Sequence, residues 1–394
     1  MLYNFDELVN RRGSGSLKWD VKKNQLPMWV ADMDFKTAPE IIESLKNRVE
    51  HGVFGYNDVM DEWYVAICNW WKKRHDFNIE KESLIFCTGV VPAISSIVRK
   101  MTTVGENILV QPPVYNIFFN SIVNNGRNIL ENKLIYDEGR YKIDFEDLEE
   151  KLSNPQTTMM ILCNPHNPVG KIWDRETLAR IGELCKKHNV LVVSDEIHCD
   201  LTKPGTSYIP FASVSECCAQ NSITCIAPTK AFNIAGLQTA AVMIPNKQIR
   251  HKVNRGLNTD EVAEPNSFAI VATIAAFTNG ENWLESLREY LFENRRIAEE
   301  FLNKELPEVK LISAEATYLL WLDCKEISNS SEGLNNFICD ETGLRLYSGN
   351  SYGECGDGFL RMNIACPRER LIEGLNRLKK SIDLKLTSAR NMDI

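Results

Sequence analysis

The feature that most constrains this chain is an alternation. Between residues 83 and 244 six short apolar or β-branched runs recur: SLIFC (83–87), NILV (107–110), TMMILC (158–163), NVLVVS (189–194), SITCIA (222–227) and AAVMI (240–244). Amphipathic stretches separate several of them. In RETLARIGELCKKH (175–188), for example, the apolar residues return at helical spacing. Strand, helix and strand in repetition predict an α/β architecture, in which helices flank a mostly parallel sheet. From about residue 285 the pattern changes. WLESLREYLFENRRIAEEFLNKEL reads as one long helix, followed by TYLLWLD, a closing GFLRMNI strand and a final helix near 367–383. These elements predict a smaller α+β domain over residues 285–394. A large domain is expected over 46–284, with residues 1–45 joining the small one.

Composition narrows the function classes. A chain of 394 residues exceeds the size at which a single core usually stops growing, which agrees with two domains. Its net charge of −8 argues against nucleic acid as partner. MLYNFDELVNRRG lacks an apolar signal region, and runs such as FAIVATIAAF are too short to span a bilayer, so no membrane association and a cytoplasmic location are expected. None of the 12 cysteines forms a Cys-x-x-Cys pair, and Cys87, Cys163 and Cys225 sit inside strand-like runs; reduced, buried thiols and no metal site are expected.

In an open parallel sheet, ligands gather at the carboxyl ends of the strands. After SLIFC comes TGVVPAISSIV, a turn into a helix whose start leaves the N–H groups of Gly89, Val90 and Val91 free for a phosphate. A strand-to-helix turn needs a glycine in any case. After TMMILC comes NPHNPVGKIW, where two Asn-Pro pairs can aim an amide into the cleft or simply break the chain. After NVLVVS comes DEIHCDL, which puts Asp195 at a strand end, as functional acid or helix cap. After SITCIA comes Lys230, in APTKAFNIAGLQ, with no carboxylate among its neighbours in sequence. An anion cradle, an amide, an acid and a lysine on one sheet edge suit pyridoxal phosphate: Schiff-base lysine, acid at the ring nitrogen, amide at the ring hydroxyl, helix start at the phosphate.

NPHNPVG, DEIH and TKAFNIAGLQ, in that order and spacing, resemble the aspartate-aminotransferase superfamily, fold type I of the pyridoxal-phosphate enzymes. KWD, MWVADMDF, FGYND, QPPVY, EATYLLWLD and FLRMNIACPRERL resemble its MalY/PatB branch of C–S lyases, which includes bacterial cystathionine β-lyases. The resemblance spans nearly the whole chain and implies that the main sheet has seven strands. It implies that Lys230 carries the cofactor, Asp195 stabilises the protonated ring nitrogen, Asn167 bonds the ring hydroxyl and Tyr115 stacks on the ring. It further implies that Arg361 forks onto the substrate α-carboxylate beside the Ala31 and Asp32 backbone.

Two departures from the aminotransferase pattern stand out. His198 replaces a tyrosine, and Gln238 replaces an arginine eight positions after Lys230, so the phosphate loses one cation. Thr229, the Val90 and Val91 amides, and Tyr56 reaching across a homodimer are expected to compensate. The expected reaction is β-elimination from L-cystathionine or another L-cysteine S-conjugate, giving pyruvate, ammonia and a thiol. Transamination of an amino acid is one alternative reading; regulatory binding of another protein, independent of catalysis, is a second.

Overall fold

The computed structural model describes residues 3–392. Its main sheet has seven strands: β1 (Leu84–Cys87), β2 (Asn107–Val110), β3 (Asn128–Glu131), β4 (Thr157–Cys163), β5 (Leu191–Asp195), β6 (Ser222–Ile226) and β7 (Ala240–Met243). In space they run β1-β7-β6-β5-β4-β2-β3. Only β7 is antiparallel to its neighbours. Apart from edge strand β3, whose residues are half-buried or exposed, the strands are almost wholly buried, which is why they read as apolar runs rather than alternating ones. The six expected runs all became strands. β3, carrying the polar sequence NILE at the sheet edge, gave no such signal.

Helices cover both faces. Asp61–His75 packs with Ala269–Asn279, and Val90–Met101 packs with Lys247–Thr259. The long helix Glu281–Glu305 leads to a second sheet, formed by β8 (Lys310–Leu311), β9 (Leu319–Asp323), β10 (Tyr347–Ser348) and β11 (Phe359–Asn363) in the order β8-β9-β11-β10. The chain closes on the helix Arg368–Met392. The N-terminal segment does not stay with the main sheet: Leu26–Pro27 pairs in parallel with Leu344–Arg345, beside the second sheet.

Two contacts fix the loops that matter below. Asp200, just beyond β5, accepts from Trp70 Nε1 at 3.1 Å, pairs with Arg74 at 2.8 Å and meets His75 at 3.1 Å, which ties this loop to the helix Asp61–His75. Gly170, after β4, has φ +68°, and a Cβ there would lie 2.5 Å from Ala314 Cβ and 2.7 Å from the Ala316 carbonyl oxygen. Only glycine lets this turn press against the segment leading into β9. No helix among the described residues is long and apolar enough to cross a membrane. All 12 cysteines are free thiols, eight of them buried.

Candidate active site

The carboxyl ends of β1, β4, β5 and β6 bring four of the expected groups to one edge. β5 ends on Asp195, flanked in register by Cys163 of β4 and Cys225 of β6. Its carboxyl is 4 % exposed and accepts one bond, from the Ile197 N–H at 3.1 Å. Burial raises its pKa to about 7, against the pull of that N–H and of Lys230. Lys230, beyond β6, points Nζ at the Ala31 carbonyl, 2.6 Å away. Burial first, and the Arg361 charge second, bring its pKa down to about 8, while Asp32 and Asp195 hold it from falling further. At neutral pH such a lysine has a far larger neutral fraction than an exposed one.

Asn167 is buried, and its Oδ1 accepts from Arg361 Nη1 at 3.2 Å. Arg361, on β11, is 3 % exposed; its other arm donates to the Trp29 carbonyl at 2.8 Å, and its guanidinium lies 5.1 Å from the ring centres of both Tyr347 and Tyr352. It forms no ion pair among the described residues, and its Nε has no acceptor. A buried, uncompensated guanidinium is a site prepared for an anion that comes from outside.

His198 is buried and its Nδ1 lacks a partner. Burial, then Lys230 and Arg361, push its pKa down to about 3, so the ring is neutral. Tyr115 is half-buried and near enough to Asp195 and Arg361 to feel both; burial raises its phenol to about 12. Gly89 caps the helix Val90–Met101 with no side-chain cap, so the Val90 and Val91 N–H groups start that helix without intrahelical acceptors. Thr229 is buried beside Lys230. Tyr56 is the exception: at 103 % of full exposure it lies on the surface and joins no other site residue within this chain.

Ala31 and Asp32 belong to a segment held by contacts that the sequence does not show. Asn363 Nδ2 holds the Val30 and Asp32 carbonyls at 2.5 and 2.6 Å, Tyr318 donates to the Ala31 carbonyl at 3.0 Å, and Asn233 Nδ2 donates to that of Met33 at 3.1 Å. Below the segment, Asp34 gathers Lys18 at 3.1 Å, Arg11 at 2.8 Å, Arg370 at 3.3 Å and Trp19 Nε1 at 2.7 Å. Burial alone would raise the Asp34 carboxyl, but these partners outweigh it and hold it below the usual range. The Asp32 side chain is drawn the same way, pairing with Arg11 at 2.6 Å. The one signal for Asn363 was its place two residues after Arg361, on the same face of β11.

A separate cavity of about 910 Å³ opens near the amino end of β1, lined by Phe77, Ile79, Tyr208 and Met243 among others, and contains none of these residues.

A half-buried lysine of lowered pKa, an acid one strand away, an arginine without an ion pair and a helix start, set on this sheet order, define a pyridoxal-phosphate enzyme of fold type I. Residues 23–378 match aminotransferase class I and II, and the chain belongs to that family. It is 44 % identical over 385 residues to cystathionine β-lyase PatB of Bacillus subtilis, covering 96 % of this chain and all of that one. It is 32 % identical to protein MalY of Escherichia coli, over 97 % of this chain and 99 % of the relative. The structure of cystalysin from Treponema denticola, which contains a pyridoxal 5'-phosphate cofactor, superposes with a TM-score of 0.94 at 33 % identity, over 97 % of this chain and 99 % of that one.

Proposed function

We propose that this protein is a pyridoxal-phosphate-dependent C–S β-lyase that cleaves L-cystathionine or another S-substituted L-cysteine to pyruvate, ammonia and a thiol. The observation that carries the reading is the Lys230–Asp195–Arg361 arrangement: a lysine of lowered pKa between a buried acid and an unpaired buried guanidinium. The donor set fits the cofactor. Lys230 would hold its aldehyde carbon, Asp195 its ring nitrogen, Asn167 its ring hydroxyl and Tyr115 its face. The amides of Gly89, Val90 and Val91, with Thr229, would hold its phosphate, and neutral His198 would border the ring without adding charge. When bound, pyridoxal phosphate supplies an electron sink for the pair released at the substrate Cα.

The protein's own groups do the rest. Arg361 and the backbone of Ala31 and Asp32 grip the α-carboxylate and so fix which Cα bond faces Lys230. Lys230, as the neutral free amine, would take the Cα proton at Nζ. Asp195, as a carboxylate, would pair with the ring nitrogen and hold a proton on it. As the Cα–H pair becomes the Cα–Cβ double bond, the Cβ–S bond breaks and the sulfur leaves with its electrons as a thiolate. The released enamine hydrolyses to pyruvate and ammonia.

The active unit in this reading is a cytoplasmic homodimer. Val49, Val53, Phe54, Tyr56 and Met60 are all exposed, and a groove between the helices Pro39–His51 and Ala269–Asn279 runs beside them. A partner copy seated there would bring its Tyr56 to this chain's phosphate site, where the missing cation at Gln238 leaves room for a further donor. No feature of the described residues favours a regulatory protein partner. The test of the reaction is stoichiometry: S-substituted cysteine should give pyruvate, ammonia and thiol in equal amounts, and Lys230→Ala should give none. Thiol released without pyruvate would contradict it.

A further inference from the structure

We infer that Arg345 and Trp29 form a second anion subsite at the cleft mouth, which receives a carboxylate carried on the far end of the substrate's thiol substituent. The inference rests on the lyase reading above and extends it to the class of conjugate the site prefers.

Arg345 is half-buried, and its guanidinium stacks 4.3 Å from the centre of the Trp29 ring. Among the described residues its side chain makes no ion pair and donates no hydrogen bond. Stacking holds the guanidinium plane and leaves its N–H edge free, the state in which arginine binds a carboxylate with both arms. Trp29 carries a second unmet demand: its indole Nε1 is buried with no acceptor. A lone buried N–H is costly, and an incoming oxygen that reached it would remove that cost.

The position of this pair relative to Arg361 gives it meaning. Trp29 offers its carbonyl to Arg361 at 2.8 Å, and its ring lies 5.9 Å from that of Tyr347. Tyr347 in turn lies under Arg361, at 5.1 Å, and its hydroxyl accepts from Asn116, next to Tyr115, at 3.2 Å. Two unpaired arginines therefore bracket two aromatic rings along one wall. A substrate with a carboxylate at each end and a thioether between them matches that order: charge, apolar middle, charge. Backbone pairing sets the spacing, because Arg345 is held beside Trp29 by the parallel Leu26–Pro27 and Leu344–Arg345 strands, with Met28 N–H on the Arg345 carbonyl at 2.9 Å.

The test compares a conjugate with a distal carboxylate, L-cystathionine, and one without, S-ethyl-L-cysteine, on the intact holoenzyme. Arg345→Gln should lower kcat/KM for the first by about ten- to a hundredfold, as loss of a charge-assisted pair does, and change the second less than about twofold. Arg345→Lys should fall between. Equal losses on both substrates would mean that Arg345 only supports the wall, and no loss on either would mean that it binds nothing; both outcomes overturn the subsite. A binding measurement separates this from the reaction itself. L-2-Aminosuberate has the distal carboxylate but no leaving group, and L-norleucine has neither. Followed by cofactor absorbance, the dissociation constant of the first should rise about tenfold or more in Arg345→Gln while that of the second stays put. If the unaltered enzyme released no thiol from either conjugate, the lyase reading would fail and this pair of constants would still decide the subsite.

Discussion

Arg361 and Asp34 show how differently two buried charges can be treated. Asp34 is surrounded by cations within 3.3 Å, whereas Arg361 has only neutral acceptors. The first is a structural hub, and the second is the group proposed to receive the substrate carboxylate. Removing the hub acid should therefore cost stability: Asp34→Ala leaves Lys18, 1 % exposed, without its buried partner, a loss of about 3–5 kcal/mol in urea unfolding. Arg361→Ala should leave unfolding nearly unchanged and raise KM for every substrate. The acids at the end of β5 make a further prediction. In cofactor-free protein Asp195 and Glu196 both have pKa values raised by burial to about 7, well above those of the unfolded chain. The folded form thus keeps protons that the unfolded form has lost, so their contribution to stability is full below about pH 4 and declines as the pH rises towards 7. Asp195→Asn should flatten that decline in thermal scans of the apo protein from pH 5 to 7.5; an unchanged slope would show that Asp195 is not buried as described. In the holoenzyme the same substitution should slow turnover at least about tenfold, since the ring proton loses a charged partner.

At the level of elements, the site was legible wherever it follows directly from a buried strand. Asp195, Asn167, Lys230 and the Gly89 helix start each sit just past an apolar run, and the parallel order of the sheet brings those ends together. What could not be read was held by contacts far apart in sequence. The segment Trp29–Met33 has no periodicity; its shape comes from Asn233, Tyr318, Arg361 and Asn363, some 200 to 330 residues away. Edge strand β3 was missed because a polar, half-exposed strand carries no apolar run. Gly170 looked like part of a loop signature, and its reason appears only where the main-sheet loop meets the segment before β9. Gly170→Ala should destabilise the fold by about 1–3 kcal/mol through its positive φ and the clash with Ala314, measured by the shift of the urea midpoint.

At the scale of the whole molecule, the two larger sheets both supply residues to one charged site, and one face carries exposed aromatic and aliphatic side chains. That face is where the proposal of a homodimer can be tested. Mixed with Lys230→Ala chains, Tyr56→Phe chains should regain activity, because a shared site in the mixed dimer has one copy free of both lesions. Activity no greater than that of the weaker parent would rule out the crossing tyrosine. The central claim, however, is the branch taken after Lys230 removes the Cα proton. Expulsion of sulfur would let turnover continue with no second substrate, whereas transamination would need a keto acid for each further turnover. A difference of about 1.4 kcal/mol between the two barriers gives a tenfold preference. The decisive measurement is the number of turnovers of L-cystathionine by the purified holoenzyme with no keto acid present. Continuous release of pyruvate and homocysteine over many equivalents of enzyme is the predicted result, and release that halts after a single equivalent until a keto acid is added would contradict it.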